Sequence, residues 1–113
     1  MNKAITLPLV WLGGTSPGRL IDQYSDAATA VGRALEAINA IEFDMRDYYG
    51  LPNGRDEWTR ACREMDERRN ALRAVQSDFT RLALHVMEKD AERQARLADQ
   101  HPTLERDEDP AHA

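Results

Sequence analysis

The chain has 113 residues, a formal net charge of -5, one cysteine, and aromatics limited to two Trp, three Tyr and two Phe. That length holds one domain with a modest core, and a lone thiol excludes both an internal disulfide framework and a cysteine-built zinc site. No apolar run approaches the roughly 18 residues needed to cross a bilayer.

The acidity is unevenly placed. Asp99, Glu105, Asp107, Glu108 and Asp109 face only Arg106, so the last stretch holds most of the negative excess and residues 1–98 are nearly neutral. A near-neutral body has no basic stripe for duplex nucleic acid. The segment 99–113 has Pro102 and Pro110 and little apolar beyond Leu104, which predicts a solvated, disordered acidic tail. Nearly all the basic residues are Arg, a bias that points to a GC-rich coding source more than to a chemistry.

The chain opens on Ile5-Thr6-Leu7-Pro8-Leu9-Val10-Trp11-Leu12. Pro8 interrupts the run and no small-residue cleavage pattern follows, which argues against a secretory signal. Pro8 also excludes a central strand, so residues 1–16 are expected to form an extended segment and helix cap. That segment would lie along the helices or pair with a copy of itself. Gly13-Gly14-Thr15-Ser16-Pro17 then reads as a helix start, with Ser16 capping and Pro17 in the first turn.

A stripe at Leu20, Tyr24, Ala27, Val31, Ala34, Ile38, Ile41 and Met45 recurs every three or four residues, and Ile21, Ala28 and Leu35 widen it. It predicts a first helix over about 17–49. Gly50-Leu51-Pro52-Asn53-Gly54 marks a turn. A second stripe, Trp58, Ala61, Met65, Arg68, Leu72, Val75, Phe79, Leu82 and Val86, predicts a second helix over about 55–98, ended by His101-Pro102. The short connection makes the helices antiparallel neighbours. The expected fold is therefore all-α: a long helical hairpin over 17–98 with a short extended N-terminal segment. Apolar width beyond one seam, at Ile21, Leu35, Leu84 and Met87, predicts dimerisation into a four-helix bundle, or docking of the hairpin on another protein.

Three clusters stand as candidate sites. Gly14, Thr15 and Ser16 combine free N–H groups, hydroxyls and a helix start that together could hold an anion, or they form an ordinary cap. Without the Lys and spacing of a phosphate-binding loop, nucleotide triphosphate hydrolysis is unsupported. Arg46, Tyr48 and Tyr49 close the first helix. They could grip a phosphate or carboxylate and stack on a ring, or cover the turn and pack on Trp58. Arg68 falls on the predicted seam, where a charge requires a partner such as Glu36 or Glu42 and would fix register; with Arg69 and Arg73 it could also form an anion pocket. The first two clusters sit at opposite ends of one helix, so only an antiparallel dimer would join them, into two symmetric composite pockets.

Catalytic constellations are weak. His101 and His112 fall in the tail, and His85 lacks a Glu three residues before it, where Leu82 stands. Cys62 lies beside the seam as a small packing residue, and no Ser-His-Asp or Cys-His pairing can be argued. The expectation is a non-enzymatic protein with no cofactor and no metal.

Leu7-Pro8-Leu9-Val10, Leu12, Gly14-Thr15-Ser16, the Tyr-Ala-Ala-rich helix and Arg46-Asp47-Tyr48-Tyr49 together resemble a group of small phage and prophage proteins of unassigned function. The likeness spans roughly residues 5–88. It implies a phage origin, hence a site of action in the cytoplasm of an infected bacterial host, and carries no activity with it. Small helical phage proteins without catalytic groups are often stoichiometric binders. The leading expectation is a homo-oligomeric counter-defence protein, away from membrane and duplex nucleic acid. It would sequester a nucleotide-like immune signal at Gly14, Thr15, Ser16, Arg46, Tyr48 and Tyr49, or block a host defence protein. A structural or assembly accessory acting through a helical interface is the alternative.

Overall fold

The computed structural model describes residues 4–11 and 13–100. Two helices, α1 (Pro17–Asn39) and α2 (Gly54–Gln100), are joined by a link carrying one 3₁₀ turn, Met45–Tyr48. The described residues contain no strand. Of the predicted acidic tail, Asp99 and Gln100 complete α2, and residues 101–113, with His101 and His112, lie outside the described residues.

The start of α1 follows the sequence closely. Ser16 Oγ accepts from the Arg19 N–H at 3.3 Å, and Pro17 takes the first helical position, where its missing N–H goes unneeded. The end does not. The first helix was expected to reach residue 49, but α1 stops at Asn39 and Ala40 caps it. Ile41, Phe43 and Asp47 N–H groups then bond Ile38, Ile41 and Asp44 carbonyls in short turns. The spacing of Ile38, Ile41 and Met45 imitates a continuing seam, yet Ile41 and Met45 are exposed. A competing set of contacts wins: Asp44 accepts from the Arg46 N–H at 2.8 Å, and Phe43 meets Trp58 at 4.7 Å between ring centres. A straight helix would carry Phe43 away from that ring.

The two helices are antiparallel. Tyr24 stacks on Phe79 at 6.3 Å, and Gln76 Nε2 donates to the Ala28 carbonyl at 3.2 Å. Gly32 makes room for that amide, since a Cβ there would stand 2.9 Å from Gln76 Nε2. The register of α2 differs from the predicted stripe in its middle. Arg68 and Val75 are exposed, whereas Arg69 and Gln76 are half-buried. The inner face thus steps from Met65 to Arg69, four residues on, before reaching Leu72. A helix of 3.6 residues per turn needs such a step, and two polar side chains on the inner face hid it from hydrophobic periodicity. Arg68 therefore has no seam role and no pairing with Glu36 or Glu42. In α1 the same one-residue difference leaves Leu35 buried and Ala34 exposed.

At 1.5 Å per residue α2 is about 70 Å long and α1 about 35 Å. The molecule measures 84 × 30 × 21 Å, with a radius of gyration of 23.9 Å. A compact chain of this length has a radius of about 13 Å. Its exposed surface is 8884 Å², against roughly 6,300 Å² for a compact protein of this mass. Among the described residues only Leu35, Ala61, Ala83 and Val86 are buried. One hairpin covers half of its longer helix and leaves the rest to solvent or to other elements.

Candidate functional site

Two places gather chemically distinctive side chains, one at each end of α1. The first is the turn end. Asp44 caps the 3₁₀ turn and also pairs with Arg46 Nε at 3.3 Å. This turn sets Tyr48 against Trp58, 5.6 Å between ring centres, and edge-on to Phe43 at 6.2 Å. Asn53 takes a left-handed conformation (φ 57°), which Asn tolerates better than most residues, and Gly54 starts α2 beneath the Tyr48 carbonyl. A Cβ at Gly54 would overlap that oxygen. Sequence alone gives the turn residues but not this close approach.

Of the candidate residues here, Tyr48 is half-buried in the aromatic cluster. Tyr49 is 65% exposed and the Arg46 side chain 81% exposed. Arg46 borders a shallow cavity of about 340 Å³ with Glu42, Phe43, Asp44 and Asp47. Three carboxylates beside one guanidinium give this surface a net negative character, which repels phosphate. Ile41, Met45, Tyr49 and Leu51 are large, apolar and exposed around it. The turn end thus combines an acidic depression with exposed apolar side chains close by in the chain.

The second place is the start of α1. Gly14 N–H donates to the Trp11 carbonyl at 3.1 Å, closing a turn. The Trp11 indole lies over this turn, so that a Cβ at Gly13 would overlap its ring and one at Gly14 would stand 3.0 Å from Nε1. The Ser16 oxygen accepts in the helix cap, and Thr15 is exposed. Within one chain, α1 separates Gly14, Thr15 and Ser16 from Arg46, Tyr48 and Tyr49 by about 35 Å. No family model, curated protein or solved structure matches this chain.

The third candidate cluster is spread out. Arg69 NH1 reaches Asp66 at 3.4 Å while its Nε is buried without a partner. Arg73 bonds Asn70 at 3.1 Å on the exposed side, and Arg68 points to solvent. Cys62 is a half-buried free thiol one residue beyond buried Ala61.

A groove that no sequence motif marks lies along α2. The N-terminal segment runs along the C-terminal half of α2, where His85 Nε2 donates to the Pro8 carbonyl at 2.9 Å. A carbonyl only accepts, so this ring nitrogen carries the proton. Beside it, Pro8, Leu9, Val10, His85, Lys89, Glu92 and Arg96 line a cavity of about 310 Å³. Lys89 pairs with Glu92 at 3.2 Å inside it. The apolar opening with Pro8 predicts a segment along the helices, but a histidine bonding a backbone carbonyl leaves no spacing pattern to say where. Among the described residues no cluster of His, Cys, Asp and Glu could hold a metal ion, and no helix is long and apolar enough to cross a membrane.

Proposed function

We propose that this chain is a non-enzymatic binding protein, phage-encoded, that counters a host defence by covering a surface of a defence protein. The observation that carries this reading is the surplus of large apolar side chains left exposed by so small a core. Ile41, Met45, Tyr49 and Leu51 crowd the turn end, and Leu7, Leu9 and Trp11 line the N-terminal segment. Apolar patches of this kind on small proteins are interaction sites. The carboxylates of Glu42, Asp44 and Asp47 next to these side chains suit a partner that sets basic groups beside its apolar surface.

Two observations favour a protein partner over a nucleotide-like signal. Carboxylates surround Arg46, and Trp11 covers the glycines of the α1 start. The phage setting rests on the sequence resemblance. The protein works in this reading as a homodimer assembled from two hairpins, because each hairpin leaves apolar width on α2.

The test is infection of matched hosts with and without the defence system, using phage that carry or lack the gene. Deletion is expected to reduce plaque formation only on the defended host. The double variant Met45→Glu with Tyr49→Glu, both exposed, should reproduce the loss while circular dichroism stays unchanged. Equal loss on both hosts, with the protein found in purified particles, would instead establish a structural accessory. Stabilisation by a nucleotide panel in a thermal-shift assay would restore the sequestration reading.

A further inference from the structure

In its C-terminal half, α2 carries a second face that α1 does not touch. Ser77, Thr80, Leu84, Met87, Ala91 and Gln94 follow one another in alternating steps of three and four, and Ala98 extends the series. All are exposed, Leu84 at 57% and Met87 at 49%. None is charged, although Asp78, Arg81, Glu88, Lys89, Asp90, Glu92, Arg93 and Arg96 occupy the positions between them. At 100° per residue this face points about a quarter-turn from the one bearing Phe79, Ala83 and Val86, which meets α1. His85 and Lys89, under the N-terminal segment, lie on the opposite side. A stripe free of charge over three heptads, with Leu84 and Met87 at its centre, has the spacing of a helix-pair seam.

We propose that this face packs antiparallel against the same face of a second copy, with a two-fold axis between His85 and Val86. The charges beside the stripe select that arrangement. With Leu84 against the second copy's Met87, Arg81, which also pairs with Asp78 of its own helix at 3.9 Å, comes beside the second copy's Glu88, and the symmetry makes this contact twice. Sliding by one heptad in one direction brings the two Glu88 side chains together, and in the other direction the two Arg81 side chains. Parallel pairing sets Arg81 beside Gln76 and Glu88 beside Ala83, with no attraction. Flanking charges of this kind decide orientation and register in helix pairs. A quarter-turn between α1 and the incoming helix is the relation of adjacent corners in a four-helix assembly.

This inference rests on the dimer reading and specifies its interface, so the experiment separates the two. Sedimentation at tens of micromolar is expected to give a dimer. Leu84→Glu with Met87→Glu should give a monomer of unchanged helicity. Glu88→Arg alone should weaken association by about tenfold, and adding Arg81→Glu should restore most of the loss. This charge swap leaves the apolar seam intact and so does not depend on the glutamate variants folding. A spin label at Asn70→Cys, with Cys62→Ser, should report roughly 45–50 Å between copies for antiparallel pairing, and under about 25 Å for parallel pairing. A monomeric wild type overturns both the dimer and its interface. A dimer that survives the glutamate pair, is indifferent to the charge swap, or shows the short distance overturns the interface alone.

Discussion

Arg69 shows how much one position can alter. Its side chain lies on the inner face of α2 with Nε buried and unbonded, and its ion pair is local, to an Asp66 that is itself exposed. A buried charge that is only partly satisfied is commonly replaced by an apolar side chain at a net gain. Arg69→Leu is therefore expected to raise stability by about 1 kcal/mol, an increase of roughly 4–8 °C in Tm for a domain of this size. Arg68→Leu, one residue along and exposed, should change stability by less than about 0.5 kcal/mol. Thermal melts of the two variants side by side check the register of α2 directly, since the reverse order would place Arg68 on the seam. Gly54 is the other sensitive residue. Its neighbour is the Tyr48 backbone, which cannot swing aside as a flexible side chain could. Gly54→Ala should cost about 2 kcal/mol in chemical denaturation and loosen the packing of Tyr48 on Trp58.

At the scale of elements, the hairpin was legible because its signals are local. Pro17 after Ser16 starts α1, and the turn residues from Gly50 mark where the link gives way to α2 at Gly54. Periodicity gave Leu20, Tyr24, Phe79 and Val86 their inward facing. What escaped was anything a polar residue decides. Asp44 caps a separate 3₁₀ turn beyond α1, and Phe43 leaves the helical line for Trp58; no count of apolar spacing distinguishes that from a helix running on. Gln76 was equally silent, because its place on the seam depends on Gly32 opposite. The candidate site was legible only in part: Tyr48 and Trp58 were expected to share the turn end, while the carboxylates around Arg46 and the groove at His85 depend on how the backbone folds back. The Gln76–Gly32 contact can be measured by a double-mutant cycle. Gly32→Ala gains about 1 kcal/mol of helix propensity but crowds the Gln76 amide, so alone it should be close to neutral. In a Gln76→Ala background the same change should stabilise, and the coupling read from denaturant unfolding should be about 1 kcal/mol.

The whole molecule is a long rod with a short companion. α1 pairs with the middle of α2, and the N-terminal segment lies along part of the overhang, tied by His85 to Pro8. Among the described residues the His85–Pro8 bond and a few half-buried side chains hold that segment, so its opening is cheaper than unfolding of the hairpin. His85→Ala should hasten chymotryptic cutting between Leu7 and Trp11 several-fold while lowering global stability by no more than about 1.5 kcal/mol. Limited proteolysis followed by mass spectrometry reads the first effect, and a thermal melt reads the second. The placement of the two tryptophans has an optical consequence. Trp11 lies over the glycine turn before α1 and is 57% exposed, whereas Trp58 is enclosed by Phe43 and Tyr48. The rod therefore carries one indole fluorophore in a wet setting near one end of α1 and another in a drier, aromatic setting near the other. Replacing either by Phe leaves a single emitter, through which unfolding or partner capture can be timed separately at each end of the same chain.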